Sequence, residues 1–240
     1  MHISLMLIIL SAVLFIALFF MCFFREKLSH PLINPLFIFV CAVFFFCWNY
    51  ATFERRGGDF HLITLENISP YISTVIILTP LMTKWLKEYA YATIAFLGFG
   101  MFVALFVSPE IEYFFNFEQE AKFIHVSEAA CHLVMALYGF YLILSNKVKL
   151  GFKDLGKGIA FIYASIGFGV FLNLVFYQTN FGMNMHGKYS IYFLDIFGSF
   201  EVTLIAYLVG IFAVMAGGYL AGALLDKISR HHKKEYDQHL

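Results

Sequence analysis

Charge is scarce in this chain. Asp, Glu, Lys and Arg make up 13% of its 240 residues, against about 25% in ordinary soluble domains. Sixteen basic and sixteen acidic residues cancel to a net charge of zero, so no bulk field draws phosphates, and binding of nucleic acid by charge is excluded. The 4 cysteines, at positions 22, 41, 47 and 131, include no C-x-x-C pair and lie in apolar runs, which excludes a disulfide scaffold and reads as free thiols. With only 5 prolines, long stretches run uninterrupted. What is abundant is apolar: 61% hydrophobic residues, 31 of them Phe, and a mean hydropathy of +0.78. Disorder and a cytosolic enzyme of usual composition are thereby excluded as well, and the class that remains is a polytopic membrane protein.

A hydrocarbon core about 30 Å thick takes roughly 20 residues of helix. Seven runs qualify: 3–24, 33–48, 70–86 (interrupted by Pro80), 89–108, 123–145, 157–177 and about 193–225. They are continuous rather than alternating, which favours helices over a barrel. The first lacks a basic region ahead of it and a small-residue cleavage site after it, so it is expected to be retained. The expected fold is an all-α, seven-helix, multi-pass bundle of the cell membrane over 1–225, with a short basic cytoplasmic tail over 226–240. With the N-terminus outside, twelve basic residues fall on inner connections: Arg25, Lys27, Lys84, Lys87, Lys147, Lys149, Lys153, Lys157, Lys227, Arg230, Lys233 and Lys234. Arg55, Arg56, Lys122 and Lys188 are left outside. That bias predicts an outer N-terminus and a cytoplasmic C-terminus. The basic run from Arg230 reads as a topology anchor, the acidic and aromatic loop over 109–122 as a solvated outer loop, and Gly218 with Gly222 as a small-xxx-small packing pair.

The chemistry must come from polar residues placed where lipid disfavours them. In the fifth run His125, Glu128 and His132 stand three and four apart, within roughly a 60° arc of a helix. A carboxylate at membrane depth costs several kcal/mol unless it is paired, protonated or wet. Other polar groups share the outer half: His61 and Glu66 before the third run, Asn173 and Tyr177 ending the sixth, then Asn180, Asn184 and His186, and Asp195 and Glu201 entering the seventh. This asymmetry predicts a polar cavity open to the outside or to the outer leaflet. Three readings of the stripe stand side by side. It is a buried hydrogen-bonded network that keeps helices in register, a catalytic site with His132 as general base oriented by an acid, or a proton, cation or metal path. The spacing is not an H-E-x-x-H zinc signature.

Several segments resemble the YwaF-type family of bacterial integral membrane proteins and its eukaryotic phospholipid acyltransferase relatives. The run from Cys131 and His132 to Tyr141 (CHLVMALYGFY) is similar to the family's histidine-led span, Asn173 and Asn180 to its paired asparagines, LDIFG over 194–198 to the entry of its last span, and TLENIS over 64–69 to the start of its third. The resemblance covers roughly 64–219. It implies acyl transfer by a cysteine before the third span and a histidine in the fifth. The histidine maps to His132, but the cysteine position holds Glu66. A carboxylate does not form the thioester intermediate that a thiol does. The resemblance therefore leaves Ser69 as a substitute nucleophile, or direct transfer with Glu66 and His132 as acid and base. Ser69 before Pro70 also reads as a helix cap.

The expected function is a lipid-acting enzyme of acyl-transfer or acyl-ester chemistry. His132, Glu66 and Glu128 are the catalytic candidates, and His125, Asn173, Asn180, Asp195 and Glu201 the substrate-binding ones. Neither a metal nor another cofactor is expected, and the partners are membrane lipids with an acyl-chain substrate. The competing readings are a proton- or ion-coupled transporter, against which no internal repeat is visible, and a scaffold subunit that packs on a membrane-protein partner.

Overall fold

A computed structural model describes residues 3–55, 68–107, 122–176 and 198–238. Among the described residues there are seven α-helices and no strand: α1 (Ile3–Phe23), α2 (Ile33–Arg55), α3 (Ile68–Leu78), α4 (Lys84–Val107), α5 (Lys122–Leu144), α6 (Phe152–Phe176) and α7 (Phe200–Gln238). Short 3-10 turns occupy Arg25–Ser29 and Thr79–Leu81. Four stretches are long and apolar enough to cross a membrane, Ile33–Ala51, Val126–Leu144, Phe152–Phe171 and Glu201–His231; Ile8–Phe23 and Ile68–Leu81 are apolar but shorter. Helix is the structure such runs must take in lipid, because each backbone N–H finds its carbonyl within the same segment.

Two of the departures from the expected run boundaries bear on the fold. The third, read as 70–86, stops as an α-helix at Leu78 and tightens through Thr79–Leu81, and the chain is extended at Met82 before α4 begins at Lys84. Pro80 is the cause: it has no N–H to donate, and its ring displaces the carbonyl one turn back. The Thr79 hydroxyl takes up the slack by donating to the Ile76 carbonyl at 2.7 Å. The 11 residues of α3 rise only about 17 Å. The last helix does the reverse. It passes Leu225 without a break and continues to Gln238, 39 residues in all, so the basic tail is a helical extension of α7 over its described part.

The bundle is built around α4 and α5. Helix α5 packs against α1, α2, α3, α4 and α7, and α4 against α3, α5, α6 and α7. Helix α5 carries His132 and two tyrosines, Tyr138 and Tyr141, and all three are buried. Helices α1, α2 and α7 turn Phe15, Phe19, Phe39, Phe46, Val209 and Phe212 outward, where lipid would meet them. Glycines allow the central backbones to touch. A Cβ on Gly139 of α5 would lie 2.8 Å from the Ile94 carbonyl oxygen of α4, and one on Gly218 of α7 would overlap the Phe96 carbonyl of α4. A Cβ on Gly222 would meet the Ile143 side chain at 2.5 Å. The small-residue pair of α7 is thus a packing device.

One end of the bundle collects the basic connections. Arg25, after α1, pairs with Asp226 of α7 at 2.6 Å and donates to Asn146, after α5, at 3.3 Å; Arg230 pairs with the same Asp226 at 2.9 Å. Lys157 of α6 reaches Glu88 of α4 at 2.8 Å and Asp154 at 3.3 Å. The hydrogen bond from Lys157 holds the Glu88 carboxyl below the ordinary glutamate value of 4.5. These contacts tie together four segments that charge bias alone assigns to one side.

Candidate functional site

His132 lies mid-way along α5, 4% exposed, and both ring nitrogens are engaged. Nδ1 is 2.8 Å from the Glu128 carbonyl oxygen one turn back, and Nε2 is 2.8 Å from the Ser69 hydroxyl of α3. A carbonyl oxygen only accepts, so Nδ1 carries the proton of the neutral ring. Nε2 is then the bare acceptor, and Ser69 donates to it. The tautomer that a general base needs is set by the main chain, in the place where an acid side chain is more familiar.

Ser69 is presented by the first turn of α3, with Pro70 next to it at a position where a missing N–H does no harm. The described part of the helix begins at Ile68, and the Ser69 hydroxyl aims across at α5. On its other side the hydroxyl is 3.7 Å from the Met101 sulfur of α4. One turn further along α3, Ser73 donates to the Met135 sulfur of α5 at 3.7 Å, and the Cys41 thiol of α2 lies 4.0 Å from the Ser73 carbonyl oxygen. Tyr71 donates to Ser165 of α6 at 2.5 Å, and Ser165 in turn donates to the Phe161 carbonyl. Helix α3 is therefore held on its neighbours by its hydroxyls. Helix α2 closes the His132 side with Trp48, whose ring centroid is 6.2 Å from that of the imidazole. Cys131 is buried beside Phe45, Trp48 and Ala51, and all four cysteines are free.

The expected site residues divide into three groups. His132 stands at the centre. Glu128 is half-buried on the same helix, and what it gives His132 is its backbone carbonyl. Glu201 is exposed in the first turn of α7. The backbones of His125 and Asn173 belong to α5 and α6, but their side chains fall outside the description, as do Glu66, Asn180 and Asp195 entirely. His61, Tyr177, Asn184 and His186 lie there too. Among the described residues no group of three or more His, Cys, Asp or Glu side chains gathers as metal ligands would. Two participants, Met101 and Trp48, had no motif to announce them, and the sole hint for Trp48 is that the chain holds 2 tryptophans.

The fold and site define a class: an all-helical protein with helices able to cross a membrane and a part-buried serine–histidine pair between two of them. Comparison with protein-family models, curated proteins and solved structures finds no match for this chain.

Proposed function

We propose that the protein is a multi-pass membrane enzyme that cleaves or transfers an acyl group of a membrane lipid, with Ser69 as nucleophile and His132 as general base. The observation that carries this reading is the pair itself: a hydroxyl 2.8 Å from an imidazole nitrogen that the Glu128 carbonyl keeps free to accept a proton. Geometry of that kind is the diagnostic of an activated nucleophile.

The chemistry balances without further groups. Ser69 Oγ attacks the ester carbonyl as His132 Nε2 takes the hydroxyl proton. His132 then gives that proton to the departing alcohol, and the acyl group stays on Ser69 as an ester. Water, or the hydroxyl of a second lipid, attacks the acyl-serine while His132 takes its proton, and the proton returns to Ser69 Oγ as it leaves. Water yields a free acid, and a lipid alcohol yields a transferred acyl chain. The same reading accommodates Glu66 at the position where the acyltransferase relatives carry cysteine, because the nucleophile sits three residues on.

The remaining expectations fit around it. The basic end faces the cytoplasm under the positive-inside rule, which puts the N-terminus and the stripe of α5 toward the outer leaflet. His125, Asn173, Asn180, Asp195 and Glu201 would line the approach of a headgroup from that side.

Membrane lipid profiling of cells with and without the protein tests the reading. A change in one phospholipid or lipoprotein acyl pattern is expected, and it should disappear in Ser69→Ala and in His132→Gln. An unchanged lipidome with the folded protein present would remove the enzyme.

A further inference from the structure

Both hydrogen bonds of His132 run through its ring nitrogens. They set the tautomer and the aim of Nε2, but they leave open what meets the ring when it becomes an imidazolium on taking the Ser69 proton. A buried cation is costly unless something compensates it. The indole of Trp48 stands beside the imidazole, with centroids 6.2 Å apart and planes tilted by 48°. It is not a loose neighbour. Trp48 is 6% exposed and is braced edge-on by Phe45 one turn away on α2, at 6.4 Å and 85°. A cation over an indole face is attracted by its π-electron density out to about 6 Å, and the tilted imidazole stands at the edge of that range.

We infer that Trp48 is a positioning residue of the Ser69–His132 pair: its indole walls the imidazole and its π-density stabilises the charge that ring acquires as Ser69 attacks. The inference rests on the acyl-serine reading above and adds to it an element, α2, that supplies none of the reacting atoms. Its effect belongs to the chemical step, not to the binding of substrate.

The composition of the chain makes a clean experiment available. The other tryptophan, Trp85, is 64% exposed and packs on Tyr89. In a Trp85→Phe background the full-length protein carries a single indole, at position 48. Tryptophans bearing one to four ring fluorines can then be incorporated there. They keep the shape of the ring and drain its π-density stepwise. The readout is covalent labelling of Ser69 by a fluorophosphonate, located by mass spectrometry and resolved into probe affinity and maximal rate.

The maximal rate should fall steadily with each fluorine, by about tenfold across the series, with probe affinity unchanged. Trp48→Phe should keep most of the rate and Trp48→Leu should lose it to the level of the most fluorinated protein. A flat fluorine series, or a Trp48→Leu protein that labels at the unmodified rate, overturns the role of Trp48. If Ser69 of the unsubstituted protein takes no label at all, the acyl-serine reading falls and this inference with it. A labelled Ser69 with a flat series removes Trp48 alone. Because fluorination spares the fold, the series decides even if Trp48→Leu does not fold.

Discussion

The His132 imidazole is tethered by a main-chain carbonyl, so its orientation does not depend on the carboxylate of residue 128. Glu128→Gln keeps that carbonyl and should leave fluorophosphonate labelling of Ser69 near the unsubstituted rate, whereas His132→Gln should lower it about 100-fold or more. Equal losses in both would return the carboxylate to the mechanism. Charge matters elsewhere, at Glu88. Its folded-state carboxyl sits below 4.5 because Lys157 donates to it, so the contribution to stability is complete above that value and is lost as pH falls through the lowered one. Melting temperatures of the wild type and Glu88→Gln, measured from neutral pH downward, should therefore converge only below pH 4.5. Convergence at higher pH would contradict the pairing. At this scale the sequence made the stripe of His125, Glu128 and His132 legible, since spacing on a helix is arithmetic. It could not rank Ser69 above its role as a cap. Serine before proline is an ordinary helix-start signal, and nothing local in the chain shows that this hydroxyl meets an imidazole of another helix.

Between helices the decisive contacts are backbone against backbone. Gly139 and Gly218 sit where a methyl group would run into carbonyls of α4, and carbonyls of a helix cannot step aside as a side chain can. Gly139→Ala and Gly218→Ala should each destabilise the protein by about 1–3 kcal/mol. Gly210→Ala and Gly217→Ala, where nothing lies within 4 Å of the added atom, should stay within about 0.5 kcal/mol. Unfolding in a denaturing detergent series measures all four, and a comparable loss at Gly217 would mean that the outward face of α7 is occupied. The sequence marked Gly218 and Gly222 as a packing pair but could not say which helix they meet. It also overran α3. Hydropathy continues through Leu81 and Met82, so an apolar count reads a span where Pro80 ends a helix.

For the molecule as a whole, the ion pairs at one end act as a clasp on helices that are distant in sequence. Arg25 and Asp226 are 15% and 14% exposed, so removing Asp226 leaves a mostly buried guanidinium without its counterion, whereas removing Arg25 leaves Asp226 paired with Arg230. Asp226→Ala should cost about 3 kcal/mol, Arg25→Ala should cost less because Arg230 remains on Asp226, and the double substitution should cost less than the sum of the two. A double-mutant cycle on thermal unfolding checks it, and strictly additive losses would show that the two residues act separately.

Composition and the length of apolar runs were enough to establish helices able to cross a membrane, because lipid leaves the backbone almost no other way to satisfy its hydrogen bonds. The twofold grouping of basic residues was enough to predict which connections share an end. Which hydroxyl meets His132, which helix lies at the centre and which indole stands beside the imidazole were decided only by tertiary packing. Those partners come from helices 63 or more positions apart, and no local period in the chain records the distance between them.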